Sequence, residues 1–202
     1  MNIPTAPVDT ILKVVALAVL WLAGTAGAAA QEQIPQEELE GLLKVKIRTV
    51  QHLALNPVLV RATRQQNRVG LTLDEIKRRD DAWRGSKELT PFKRSQQESR
   101  AGKLLKRFVD RSISFNEAFL TDVQGANVAA YPATSDYWQG DEDKWIESYR
   151  GGDSRIFIGP LELDDSTQTY AVQISAPVLD RDRSIGILVV GVTISYLEAR
   201  RR

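Results

Sequence analysis

Between Asp136 and Asp143 the chain reads Asp-Tyr-Trp-Gln-Gly-Asp-Glu-Asp, four carboxylates and two aromatics within eight residues. Two chemistries are open to such a stretch. Asp136 paired with Asp141 or Glu142 would supply the general acid and base of a carboxylate-dependent hydrolase. Aromatic walls with a few polar groups would instead line a small-molecule pocket. Part of the acidity has a simpler origin. Glu142 and Asp143 fall where a short amphipathic helix, 141–149, would begin, and acids in a first turn complement the helix dipole. Asp136 precedes the aromatics and is not explained that way. Trp145, on that helix, fits either a core or a pocket wall.

Other candidates stand further along. Arg155 opens a predicted strand, 154–158, where its guanidinium would clamp a ligand carboxylate bidentately or simply face solvent. In the strand 169–176, Tyr170, Gln173 and Ser175 are interleaved with apolar residues, and one set should face a pocket. His52 is the only histidine and there is no cysteine, so the expectation for it is a surface or packed residue. Asp180-x-Asp182-x-Ser184 lacks the closing Glu of a calcium loop and reads as a polar turn. No phosphate-binding loop, dinucleotide fingerprint, nucleophile elbow or metal cluster is present, so no cofactor and no metal is expected.

The elements that must position these residues divide into two halves. Residues 34–66 carry an apolar stripe, Leu39, Leu42, Leu43, Ile47, Val50 and Leu53, at helical spacing. Asn56-Pro57 should break that long helix and let Pro57 open a second segment. Thr72 or Asp74 caps a helix ending near Trp83, with Leu71, Leu73, Ile76 and Trp83 as its apolar side. A loop at 84–91 precedes another helix at 92–110, buried through Leu104, Leu105, Phe108 and Val109. The second half is strands. Two apolar runs around Val123-Gln124-Gly125 read as a hairpin. Gly151-Gly152 ends the short helix, and Gly159-Pro160 breaks the strand after it. The run 185–194 is apolar enough to be a central strand, with Gly186 and Gly191 marking a bulge or a close backbone approach. Helices followed by strands predict an α+β fold with the helices on one face of an antiparallel sheet of about five strands.

Composition narrows the partners. With 43% hydrophobic and 26% charged residues in 202, the chain can fold as one domain of moderate size. A net charge of +1 gives no argument for nucleic acid. Lys13 followed by the apolar run 14–23 and by Ala28 and Ala30 reads as a signal peptide cleaved before Gln31, or as a retained anchor. The organisation expected is therefore 1–30 as an export segment and 31–202 as one domain, helical over 31–110 and sheet over 111–202.

The stretch TDVQGANVAAYPATSDYWQGDEDKW resembles the hairpin and following loop of Cache domains, the PAS-like extracytoplasmic sensor family, and GPLELDDSTQTYAVQISAPV is similar to a late-strand passage of that family. The resemblance implies a long N-terminal helix and further helices packed on a PAS-like sheet. It implies a pocket lined by Tyr131, Tyr137, Trp138 and Trp145, with Asp165 matching the acid that meets a ligand amine in amino-acid-binding members. Those members carry an Arg two residues before the Trp. Here that position is Asp143, which weighs against an amino-acid ligand. The expectation is an exported sensor domain that binds a small organic molecule, a carboxylate among the candidates, and does no chemistry. The chain ends at Arg202 without an output module, which predicts signalling through a membrane receptor or kinase. Family members also dimerise through the helix corresponding to 34–66, so a structural module is a further reading.

Overall fold

A computed structural model describes residues 36–160, 162–164 and 169–193. The segment 1–30, Asp165 and the side chains of Leu39, Leu42 and Tyr170 lie outside the described residues.

The first helix, α1 (Gln36–Ala54), buries Leu43, Ile47, Val50 and Ala54 at i, i+4, i+7 and i+11. The break falls where the proline puts it. Asn56 is extended (φ −62°, ψ 128°), its side-chain oxygen accepts from the Val58 amide at 2.9 Å, and Pro57 is the first residue of α2 (Pro57–Val69). Thr72 caps α3 (Leu73–Arg84) in a reciprocal box with Glu75. Leu71, Ile76 and Trp83 on its apolar side are buried, while Leu73 stays exposed.

The helix predicted over 92–110 is two helices, α4 (Pro91–Glu98) and α5 (Arg100–Asp110). Ser99 turns the chain between them (ψ 162°), and its hydroxyl accepts from the Gly102 amide at 2.9 Å. The break is tight enough that a Cβ on Gly102 would press on the backbone of Gln96 and Gln97. A polar cap competing with the helix ladder explains the correction.

The sheet comprises β1 (Phe115–Thr121), β2 (Asn127–Tyr131), β3 (Phe157–Ile158), β4 (Glu162–Asp164), β5 (Thr169–Asp180) and β6 (Arg183–Thr193). All pairings are antiparallel, in the order β2-β1-β6-β5-β3, with β4 also against β5. The last strand is central because it is apolar on both faces. Leu188, Val190 and Val192 join Ala118, Leu120, Val172, Ile174, Ala176 and Val178 beneath α1, α2 and α5. Ile187 and Val189 join Phe119 and Ala130 on the opposite face, which is covered by α6 (Asp143–Tyr149) through Trp145 and Tyr149. Helices therefore lie on both faces rather than one. The short helix begins two residues later than predicted and is capped after Tyr149 by Arg150, itself left-handed (φ 47°), ahead of the two glycines. The predicted strand 154–158 pairs only at Phe157 and Ile158, and β4 was not foreseen.

Candidate functional site

The acidic aromatic loop is anchored before it is available for anything else. Asp80, buried on α3, accepts from the Tyr137 and Trp138 amides at 2.7 and 3.1 Å and pairs with Arg84 at 3.0 Å. The Tyr137 ring is buried between Trp83 and Phe92, at 5.9 and 5.2 Å between centroids, and its hydroxyl accepts from Gln66 at 3.2 Å. The Trp138 indole donates to the Gln124 carbonyl at 2.8 Å, and Asn127 donates to Thr134 and to the Asp136 carbonyl. The adjoining hairpin turn is closed by Asp122, which accepts from the Gln124 and Ala126 amides at 2.8 and 3.0 Å. Burial nevertheless pushes the Asp122 carboxyl above the ordinary carboxylate range, and burial likewise raises Tyr137.

This geometry separates residues that the sequence groups together. Tyr131 packs with the α1/α2/α5 cluster and its hydroxyl accepts from Lys106 at 2.8 Å. Tyr137 and Trp138 belong to the cluster around Trp83. Trp145 belongs to the cluster beneath α6. The four aromatics thus do not close around one space. The Asp136 carboxylate is engaged by Gln139 and Ser135, Glu142 lies 3.5 Å from Lys144, and Asp141 is exposed. Arg155 is committed to α6. Its guanidinium holds the Glu147 carboxylate at 2.6 Å and the Glu147 carbonyl at 3.2 Å, and its backbone exchanges hydrogen bonds with Ser148. His52 is exposed in the last turn of α1.

The sheet face under α6 brings a different set together. Register places Ala130, Phe119, Val189, Ser175 and Phe157 in one row across five strands. The row beside it holds Glu117, Gly191 and Gln173. Gly191 has no side chain, and Gln173 donates over it to the Glu117 carboxylate at 2.7 Å. Above the first row Trp145 stacks on Tyr149 at 4.8 Å, and the Lys144 ammonium sits 5.7 Å from the Phe119 ring centre. Two polar atoms on this face, the Trp145 indole nitrogen and the Ser175 hydroxyl, are buried with no hydrogen-bond partner among the described residues. Each such atom costs about 1–3 kcal/mol if left unpaired.

Of the residues singled out in the sequence, Gln173 and Ser175 lie on this face by register, and Trp145 packs against it. Glu117, Phe119 and Lys144 were not foreseen. Glu117 carried one signal, a carboxylate within a strand and in phase with Phe119. Among the described residues no group of three or more His, Cys, Asp or Glu is placed to hold a metal ion, and no helix is long and apolar enough to cross a membrane.

The sequence matches no protein-family model and no curated protein. Solved structures do match. The sensor domain of the Vibrio cholerae histidine kinase DctB superposes with a TM-score of 0.51 at 11% identity, over 95% of this chain and 59% of that one. The ligand-binding domain of the Campylobacter jejuni chemoreceptor Tlp3, in complex with 4-methylisoleucine, gives 0.45 at 16% identity over 96% and 63%. That of the Pseudomonas aeruginosa amino-acid chemoreceptor PctC, in complex with GABA, gives 0.46 at 13% identity over 95% and 63%. The chain thus spans about three-fifths of the length of these structures. The likeness to the DctB domain shows that this chain shares the fold of that domain.

Proposed function

We propose that the chain is the ligand-sensing part of an extracytoplasmic signalling system, and that it binds a small organic carboxylate on the sheet face beneath α6. The observation that carries this reading is the pair of buried, unpartnered donors there, the Trp145 indole N–H and the Ser175 hydroxyl. Both can donate to a carboxylate, and the neighbouring Lys144 ammonium supplies the opposite charge. Glu117 with Gln173 sets a polar boundary on one side, and Phe119, Trp145 and Tyr149 supply apolar walls. On this reading the site recognises its ligand and does no chemistry on it, in keeping with the sensor domain whose fold the chain shares. The Cache-like fold supports the sensing role. The segment 1–30 would export or anchor the chain. The bound state would then be read by a membrane kinase or chemoreceptor, with pairing of two copies through α1 as one route.

A thermal-shift screen of the full chain against small carboxylates tests this reading. A ligand at about 100 times its dissociation constant adds about 2.7 kcal/mol, a shift of several degrees. Trp145→Phe keeps an aromatic ring, smaller than the indole, and removes the N–H, so it should abolish the shift, as should Ser175→Ala. A carboxylate hit that both variants retain in full would place the ligand elsewhere.

A further inference from the structure

A concavity lies on the other side of the sheet, away from α6. It is a groove of about 530 Å³ running along α2 and facing the α4–α5 junction, with Val128 of β2 among its lining. Its volume falls in the range typical of small-molecule sites. Its chemistry is uneven in a telling way. Arg61 stands on the α2 wall and Arg100 on the opposite wall, at the first position of α5. Neither guanidinium makes a hydrogen bond or an ion pair among the described residues. No Asp or Glu lines the groove. Three basic side chains of the helical half sit in ion pairs, Arg64 with Asp180 at 2.6 Å, Arg84 with Asp80 and Asp81 at 3.0 Å, and Lys106 with Asp110 at 2.7 Å, whereas Arg61 and Arg100, like Arg94 and Lys103, sit in none among the described residues. Between the two arginines the lining is small and apolar, with Ala62, Ala101 and Val128, and the Gln65 amide adds a neutral polar group.

We propose that this groove is a second ligand site, which takes a small aliphatic carboxylate whose headgroup pairs with Arg61 and Arg100 and whose chain lies on Ala62, Ala101 and Val128. Guanidinium suits the task because its planar fork matches a carboxylate in two parallel hydrogen bonds. An aliphatic chain suits the floor because Ala62, Ala101 and Val128 present only carbon. Inorganic phosphate would satisfy the charge and leave the floor unused. An aliphatic alcohol would cover the floor and leave both guanidiniums unpaired. The site shares none of its lining with the face beneath α6.

The test is calorimetric titration of the full chain with hexanoate, with hexanol and inorganic phosphate as the two half-ligands. Hexanoate should bind, and the double variant Arg61→Gln/Arg100→Gln should weaken it at least tenfold. Both arginines are exposed, so the variant should melt within a degree or two of wild type. Its unchanged melting temperature then separates lost binding from lost folding. Hexanol should fail to compete, and phosphate should compete at least tenfold more weakly than hexanoate. Trp145→Phe should leave hexanoate binding intact, which separates this site from the one beneath α6. The proposal is overturned if hexanoate does not bind, if the double variant binds it as well as wild type does, or if Trp145→Phe removes it. Phosphate binding as tightly as hexanoate would overturn the assignment of an aliphatic carboxylate.

Discussion

The side-chain amide of Gln173 donates to the Glu117 carboxylate at 2.7 Å, over the Cα of Gly191, with which both residues are in register on the central strand. Gly191 permits this contact. A Cβ there would stand 2.7 Å from the Glu117 Cγ and would crowd the Asn116 side chain as well. Because both residues are only half-buried, a double-mutant cycle of Glu117→Ala and Gln173→Ala should yield a coupling of about 1 kcal/mol. Urea unfolding of the four proteins measures it, and additive effects would mean that the contact does not form in solution.

The unpartnered donors beneath α6 predict a trade between stability and binding. Ser175 is fully buried with its hydroxyl unpaired. Without ligand, Ser175→Ala should therefore stabilise the protein by about 1 kcal/mol, while any carboxylate bound on that face should bind more weakly. Denaturation with and without the hit from the thermal-shift screen reads both effects. A Ser175→Ala variant less stable than wild type would mean that an ordered group already satisfies the hydroxyl.

Asp80 holds the acidic aromatic loop by two backbone amides and one arginine. Removing it leaves two amides, one of them on a fully buried tyrosine, without their acceptor. Asp80→Ala should cost about 2–4 kcal/mol. Asp80→Asn keeps an acceptor for the amides and should cost less than half of that. Equal losses for the two variants, measured by urea midpoint, would place the weight on the Arg84 pairing instead.

Two carboxylates should shape the pH dependence in opposite directions. Burial raises Asp122 above its ordinary value of 3.8. Its contribution to stability is complete below that value and is lost as pH rises through the higher folded value. Asp122→Asn retains the acceptor for Gln124 and Ala126, and should gain on wild type from acid toward neutral pH. Asp180 is lowered by its hydrogen bond and charge pairing with Arg64. Its contribution is present above the ordinary value and is lost as pH falls through the lower folded one, so Asp180→Asn should flatten the acid limb. Urea midpoints at a series of pH values compare the three proteins. An Asp122→Asn profile parallel to wild type would exclude the burial effect.

The local structure was legible wherever a single residue type dictates the backbone. Pro57 broke the long helix at the expected bond, Thr72 capped α3, and Gly125 closed the first hairpin with φ 82°. Strand periodicity put Gln173 and Ser175 on one face, and the apolar run of β6 did become the central strand. Ser99 escaped notice because a serine inside a helical pattern is compatible with either a continued helix or a cap. Arg155 reads in sequence as a free cation, and only the packing of α6 against the segment before β3 supplies Glu147 as its partner.

What the sequence determined by itself was most of the elements, though neither β4 nor the break at Ser99, together with their order and which side chains of each strand share a face, because these follow from local dihedral preferences and a period of two. What only the tertiary structure decided was who meets whom. Glu117 and Gln173 lie 56 residues apart, and Ala130, Phe119, Val189, Ser175 and Phe157 come from five strands. Strand periodicity says nothing about which strand is the neighbour or in what register. Those are set by the burial of β6 on both faces, which draws β1 and β5 to its two sides and so assembles the face beneath α6.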